Sequence, residues 1–558
     1  MQQQVRPNDP GAALTAQGSP FELRTVDIGG VPMRIFCNAP QTLGAAYRGV
    51  TVDRQRVLSV HGDAHMSYAE ALGKAAAFAG YLRDQHGDLR NVRIAIAMGN
   101  RPEWLLAFLG ITAAGGCAVV INSRGTGAEL AAALDVTDSV LVIADTPRAQ
   151  LLAETGSAVP QLLVADDGAA AGFHAALAGW ERAVFAPVEA DPEDEAVIMF
   201  TSGTTGGSKA ALLTQRSVMT GLMNIQYAMA IIGMRMAAGL DPAALKALAA
   251  IQPSALLSMP LFHSAGCYAI FLSNFLRGGK VVFLPKWNAE HALTLIERER
   301  IMALSGSPAM LWDLLRADRS GRDLSSLRSL GVGGQALQVS LLREVAAAFP
   351  RAVMGAGYGM TESNGSVCMI AGPDLLERPT ASGRVIASAD LKIVDDDGAE
   401  VTPGEVGEVL LRGAMIMRGY CRRPEDTQAV LRDGWLHTGD LGRLDADGFL
   451  YIIDRKKDIV ISGGENISCT EVEAIVMTHA AVADAAAFSV ADERLGEKLI
   501  IAVVAHANAE LDAEQLQKYV GERLAIYKVP RAVMPCTELP RNALGKVERN
   551  KLRARFLE

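Results

Sequence analysis

From about residue 92 the chain alternates short β-type runs with helical ones: RIAIAM, PEWLLAFLGITAAG, CAVVINS, TGAELAAALDVT and SVLVIAD follow each other closely. That alternation is the mark of right-handed βαβ units, so the expected class is α/β, with layered sheets. Residues 384–454 change character. Their β-rich runs are broken by DDDG, TPGEVGE and DADG, which predicts a smaller antiparallel unit. Beyond DRKKD at 454–458 the pattern shifts again. TEVEAIVMTHAAV reads as a helix, AAAFSV and KLIIAVVA as strands, LDAEQLQKYVGERL as a second helix and KVERNKLRARF as a third. These make a compact α+β domain of about one hundred residues. The expected organisation is a disordered tail over 1–20, a large N-terminal domain over 21–456 and a small C-terminal domain over 457–558.

The richest motif is TSGTTGGSKA at 201–210, directly after the apolar AVIMF. Gly203, Gly206 and Gly207 let backbone N–H groups turn toward an anion; Thr201, Ser202, Thr204 and Thr205 add hydroxyls, and Lys209 adds a positive charge. Those are parts of a cradle for a polyphosphate. The loop is not the P-loop of NTPases, which has Gly before its Lys and Ser or Thr after it; Ser208 and Ala210 stand there. On its own such a run is as often an ordinary surface turn.

Order and spacing downstream decide the matter. PLFHSAG at 260–266, GVGGQAL at 331–337, GYGMTES at 357–363, GWLHTGDLG at 434–442, DRKKD at 454–458, SGGEN at 462–466 and PRNALGKVER at 540–549 follow in turn. In this order the set resembles the motifs of the adenylate-forming superfamily, specifically its acyl-CoA synthetase and fatty acid–CoA ligase branch, from roughly residue 50 to the end. The resemblance implies a large N-terminal ATP- and acyl-binding domain and a mobile C-terminal domain turning about a hinge at Lys457. It also implies ATP, Mg2+ and coenzyme A as cofactor and co-substrates.

Joining a carboxylate to ATP brings an anion against the α-phosphate, and two like charges about 4 Å apart repel by about 4 kcal/mol at an effective dielectric near 20. A cation is needed at the reacting centre. By resemblance Lys546 bridges the two anions, Glu362 binds the metal and Thr361 meets the α-phosphate. Tyr358 and Gly359, with Gly334, surround adenine; Asp440 accepts the ribose hydroxyls, as a carboxylate with two acceptor oxygens can, and Arg455 adds a contact to the nucleotide. His263, Ser264, Gly266, Gly331 and Gly333 are the candidate acyl pocket, and Ala265, Ser305 and Gly306 add to its small-residue lining. Gly463, Gly464 and Glu465 resemble the loop lining the pantetheine tunnel. His263 stands where amino-acid-activating relatives carry Asp, which speaks against an amino-acid substrate. Five of these also have a plainer reading: Tyr358 as a core tyrosine, His263 as a core histidine, the SGGEN run as a β-turn, Asp440 as a turn or helix-cap residue and Lys546 as a solvated lysine.

Ser208, Ala210, Ala356 and the GGQAL run depart from the family's usual residues without removing a catalytic group. A further departure is GMRMAAGLDPAALKALAAIQP, an insertion where Asp241 as N-cap and Pro242 at the first helical position predict a short helix to about Ala250. It is either a lid on the acyl pocket or a surface insertion.

Composition narrows the partners. A net charge of -9 with 21% charged residues offers no general basic surface for nucleic acid. Seven cysteines without a C-x-x-C pair point to a reducing cytoplasm. The opening residues lack a signal peptide's charged and apolar regions, and no uninterrupted apolar run reaches the roughly 20 residues of a membrane span. The expected partners are a small-molecule carboxylic acid, ATP and CoA, with no nucleic acid and no transmembrane segment; a homodimer is compatible. The expected activity is an AMP-forming carboxylic acid:CoA ligase for an apolar medium- or long-chain or ring-bearing acid. Two rivals stay open: an adenylating enzyme that passes the acyl group to a carrier protein or other acceptor, and a catalytically dead homologue.

Overall fold

The computed structural model describes residues 10–165, 172–201, 208–237, 241–332, 339–456, 459–462, 465–492, 494–507, 509–542 and 545–558. By packing, the described residues fall into two units, one built from those within 10–201, 209–390 and 412–434, the other from 208 and those within 391–411 and 435–558.

In the first unit the predicted βαβ run forms a mostly parallel sheet. Arg93–Ala97, Cys117–Val120 and Leu141–Asp145 lie parallel, with the helices Pro102–Ala113 and Gly127–Val136 as crossovers. Thr126 and Glu129 close a capping box at the start of the second helix. The Glu195–Phe200 strand joins parallel to Cys117–Val120, then Ala210–Thr214 returns antiparallel, and the two-residue strand Gly419–Tyr420 completes that edge. Every residue of Glu195–Phe200 is buried, as a strand covered on both faces requires. Its one charge, Glu195, accepts from Arg93 Nε and Nη2, each at 2.8 Å.

A second, nine-stranded sheet carries parallel Ser254–Leu257, Ala303–Gly306, Ser329–Val332 and Val353–Met360, extended antiparallel by Gly365–Ala371. Its far edge comes from the other end of the sequence. Val57–His61 pairs with Lys280–Phe283 through Ser59 to Val281 and Val60 to Val282.

The Gln215–Ala237 helix packs on strands of both sheets. By length and composition it could cross a membrane, but Ser217 to Ile225 and Tyr227 are buried in the protein, so the apolar residues of its first half serve the core. The inserted helix is Pro242–Ala250, capped by Asp241 Oδ1 accepting from the Ala244 N–H at 2.8 Å, as the sequence predicts.

Residues 10–20, expected to belong to a disordered tail, depart from that reading. Pro10–Thr15 is a short helix, and Leu14 packs with Phe21, Phe36, Met223 and Tyr227. Three aromatic rings meet there, Phe21 lying edge-on to Phe36 and to Tyr227. Apolar burial against a distant helix holds a segment whose composition alone reads as unstructured.

The second unit holds the antiparallel strands expected over 384–454: Gly407–Arg412, Trp435–Leu444 and Leu450–Arg455. Farther on, Val482–Asp492 and Gly496–Ala505 are the two long predicted strands, flanked by the helices Cys469–Val476, Ala513–Gly521 and Arg549–Leu557. Ile459–Ser462, Glu465–Ser468 and Ala532–Cys536 are strands the sequence reading did not anticipate. Pro535 is at home on the last, which lies at an edge.

Candidate functional site

In the first unit Glu362 and Lys209 come together at one edge of the seven-stranded sheet. Of the phosphate loop, Ser202, Gly203, Thr204, Thr205, Gly206 and Gly207 lie outside the described residues, but its neck is defined. Thr201 N–H donates to the Lys209 carbonyl at 2.9 Å, and Lys209 N–H donates to Thr201 Oγ1 at 3.1 Å. Two hydrogen bonds therefore close the base of the loop, and Lys209 emerges at its mouth.

Glu362 sits on a turn that is held from several sides. GYGMTES runs from the end of the Val353–Met360 strand into the one-turn helix Thr361–Ser363. Gly359 is dictated by close approach, since a Cβ there would stand 1.9 Å from the Gly365 carbonyl oxygen. Asn364 takes a left-handed φ of 54° and donates from Nδ2 to the Met415 carbonyl at 2.8 Å. The Glu362 carbonyl accepts from Met417 N–H at 2.8 Å. Tyr358 and Thr361 are half-buried on the same segment.

Sequence reasoning missed the next layer. Tyr420, placed by pairing with Ala211, donates its hydroxyl to Glu362 Oε1 at 2.7 Å. Lys209 Nζ lies 5.0 Å from the centroid of the Tyr420 ring and 2.6 Å from Asp426 Oδ1. The Lys209 ammonium holds the Asp426 carboxyl below its usual range. The only signal in the sequence was a GY pair followed by the charged run RRPED, too common to single out.

These residues fit a Mg2+ ion that arrives on a nucleotide. Such an ion takes one or two carboxylates from the protein and the rest of its shell from phosphate and water. Glu362 offers one carboxylate of that kind, and among the described residues no group of three or more His, Cys, Asp or Glu forms a cage.

The candidate acyl residues divide. Gly333 lies outside the described residues, as does Gly334 of the adenine set. His263 and Ser264 are half-buried on a loop that Asn100 holds at both Met259 and Leu261, just before an eight-residue π-helix, Ala265–Leu272. Such wide helices are uncommon and cluster at functional sites. Gly266 has a different reason for its small size. A Cβ there would meet the Pro260 carbonyl oxygen at 2.1 Å, so the place of a side chain is filled by the chain's own backbone. At Gly331 the space is taken by the Ser305 hydroxyl, which a Cβ would meet at 2.5 Å. Gly266→Ala is therefore expected to lower stability by about 2–4 kcal/mol, read as a fall in melting temperature that is the same with and without ligands.

In the second unit Asp440 and Arg455 are cross-strand partners, with Arg455 Nε 3.0 Å from Asp440 Oδ1. Asp440 is 4% exposed and Arg455 much more open. The HTGD turn is shaped by Gly439, at φ 70°, and by Thr438, whose hydroxyl donates to the Val409 carbonyl at 2.7 Å. Close by in sequence, Asp454 Oδ2 accepts from the Ser468 hydroxyl at 2.8 Å and from Thr470 N–H at 3.1 Å. Burial raises its pKa against these bonds. Glu473, also raised by burial, pairs with Arg549 at 2.7 Å. Neither carboxylate was singled out from sequence.

The backbone of Lys546 is fixed in a small loop. Its N–H donates to Asn542 Oδ1 at 3.0 Å and its carbonyl accepts from Asn542 N–H at 2.8 Å. Arg541 anchors that loop to Asp484 at 2.6 Å. Lys457, Gly463 and Gly464 lie outside the described residues; the backbone of Glu465 pairs with Ser462.

Comparison with known proteins finds relatives over most of the chain. Residues 48–421 match the AMP-binding enzyme family, and residues 471–546 match the C-terminal domain of AMP-binding enzymes. A feruloyl-CoA synthase of an Amycolatopsis species is 31% identical over 506 residues, covering 89% of this chain and 95% of the relative. A long-chain-fatty-acid–CoA ligase of Mycobacterium tuberculosis is 31% identical over 500 residues, covering 88% of this chain and 94% of the relative. Among solved structures, o-succinylbenzoate CoA synthetase from Bacillus subtilis, in complex with its acyl-adenylate intermediate, superposes with a TM-score of 0.75 at 27% identity, over 91% of this chain and 97% of that one.

Proposed function

This chain belongs to the AMP-binding enzyme family, and on that premise we propose that it activates an apolar carboxylic acid with ATP and transfers the acyl group to CoA. The activity is that of an AMP-forming acid–thiol ligase. The observation that carries the reading is the meeting of a carboxylate, Glu362, and the phosphate-loop cation, Lys209, through Tyr420 at one sheet edge. A triphosphate chelating a divalent ion needs such a pair side by side.

In the first half-reaction the substrate carboxylate, already ionised at neutral pH, attacks the α-phosphate and pyrophosphate leaves. Lys209 and the glycines of its loop hold the departing phosphates, Thr361 contacts the α-phosphate, and Lys546 spans the carboxylate and the α-phosphate. A bound Mg2+ would neutralise charge between phosphate oxygens. Asp440 and Arg455 hold the ribose side of the nucleotide, with Tyr358, Gly359 and Gly334 around adenine. In the second half-reaction the CoA thiol displaces AMP, entering past Gly463, Gly464 and Glu465 once the domain over 457–558 has turned about Lys457.

Relatives acting on feruloyl and long-chain fatty acyl groups support an apolar acid, alkyl or aromatic. His263, Ser264 and Gly331 are its proposed pocket, with Gly333; Gly266 shapes that pocket by its tight packing. Ser264→Phe is expected to lower kcat/KM for bulky acids by about tenfold or more while small acids change little, measured across a graded acid series. Equal losses for all acids would remove Ser264 from the pocket. All seven cysteines are free thiols, which supports a reducing, cytoplasmic location. The burial of much of the Gln215–Ala237 helix supports reading that helix as part of the core and not as a membrane span. Light scattering reads whether the homodimer compatible with the sequence forms.

The deciding experiment is pyrophosphate release across acids of graded length and shape, with and without CoA. Acyl-CoA and AMP appearing together only when CoA is added supports the ligase. Pyrophosphate release with a bound adenylate that CoA cannot discharge would favour transfer to a carrier protein instead, and no release with any acid would favour a catalytically dead homologue.

A further inference from the structure

The sequence motifs leave the segment GYCRRPEDT, residues 419–427, without a task. The fold gives it one. The Gly419–Tyr420 strand pairs with Ala211 and Leu212, immediately after the phosphate loop, and Cys421 N–H donates to the Ala210 carbonyl at 2.9 Å. This places the Tyr420 ring between the two groups assigned to the charged end of the nucleotide. Its hydroxyl donates to Glu362 Oε1 at 2.7 Å, and Lys209 Nζ lies over its face at 5.0 Å.

The Tyr420 position is itself fixed. Its N–H donates to Thr427 Oγ1 at 2.9 Å, and that hydroxyl donates to the Arg423 carbonyl at 2.8 Å. The residue is 9% exposed. The same turn presents Asp426, whose Oδ1 holds Lys209 at 2.6 Å and whose Oδ2 takes Arg423 at 3.2 Å.

Two consequences follow from elementary electrostatics. A carboxylate oxygen engaged by a hydroxyl has a fixed direction, and the remaining acceptor sites of Glu362 are aimed with it. A lysine paired to a carboxylate cannot give its full charge to phosphate until that pair opens. We propose that Tyr420 and Asp426 are positioning residues of the nucleotide site: the Tyr420 hydroxyl aims Glu362 at the metal, while Asp426 holds Lys209 over the same ring until polyphosphate displaces it. This rests on the reading of Glu362 as the metal carboxylate and Lys209 as the phosphate cation.

The test uses Mn2+ in place of Mg2+, titrated by electron paramagnetic resonance into the full-length protein with a non-hydrolysable ATP analogue. Tyr420→Phe keeps the ring and removes the donor. Mn2+ binding should weaken about fivefold, the scale of losing one ordinary hydrogen bond, with the melting temperature lowered only slightly. Glu362→Gln is the reference. If it weakens Mn2+ binding and Tyr420→Phe does not, the role of Tyr420 is overturned while the reading of Glu362 stands. If neither variant changes Mn2+ binding, Glu362 is not the metal carboxylate and the role of Tyr420 falls with it.

For Asp426 the readout is the analogue's Kd without metal, by calorimetry. Asp426→Asn frees Lys209 and should tighten binding about threefold, the scale of releasing one surface ion pair. Lys209→Ala is the reference and should weaken it. An Asp426→Asn protein that binds the analogue no more tightly than the wild type, when Lys209→Ala binds it more weakly, overturns the displacement. If Lys209→Ala leaves the Kd unchanged, Lys209 is not the phosphate cation and the role of Asp426 falls with it.

Discussion

Lys546→Ala should reduce pyrophosphate release by about a thousandfold with every acid accepted, while leaving thioester formation from supplied acyl adenylate close to the wild-type rate. The size follows from the charge problem at the reacting centre. Two anions about 4 Å apart repel by about 4 kcal/mol at an effective dielectric near 20, and that energy is about three orders of magnitude in rate. A cation spanning both groups removes the repulsion as the new bond forms. The loop that carries Lys546 is pinned by Asn542 and Arg541, so truncating the side chain leaves its backbone frame intact. Circular dichroism and a melting curve check that frame. Loss of both half-reactions to the same extent in a folded variant would remove this role from Lys546, because the thioester step contains no attack on phosphate.

The second large effect is expected at the proposed hinge. Proline at Lys457 fixes φ near -65° and removes a backbone donor, restricting passage between two backbone states. Where the adenylating arrangement accepts that angle, Lys457→Pro should release one equivalent of pyrophosphate at nearly the normal rate. It should then lose most acyl-CoA formation, leaving the adenylate bound. Lys457→Ala should do far less, because a hinge acts through backbone freedom and not through charge. Rapid-quench measurement of adenylate and acyl-CoA in one time course separates the steps. A folded proline variant making acyl-CoA at the normal rate would refute alternation about this residue.

How much could be read beforehand depended on the range over which each feature is specified. The βαβ run was legible because strand and crossover lie within about thirty residues of each other and their periods differ. The inserted helix was legible down to its cap, since Asp241 and Pro242 act on adjacent backbone groups. Tyr420 and Asp426 were not, because their meaning comes from a two-residue strand pairing with residues some two hundred positions earlier. Gly266 shows a different limit. An absent side chain is compatible both with an open pocket and with crowding, and only the position of the Pro260 carbonyl tells which applies. The ordering of residues 10–20 likewise depends on Phe36 and Tyr227, not on its own composition. Nothing in the local sequence of Asp454 or Glu473 marks the burial that sets them apart.

The long-range pairing at the edge of the nine-stranded sheet bears on how the chain is made. Ser59 and Val60 find their partners only at Val281 and Val282. At translation rates of about 5–20 residues per second, roughly ten to forty seconds separate the emergence of one strand from that of the other. For that interval the Val57–His61 and Ala64–Ser67 hairpin leaves the ribosome with the Val57–His61 edge still waiting for its partner. A nascent-chain complex stalled before residue 280 should therefore present this hairpin to chaperones, and one stalled well after residue 283 should not.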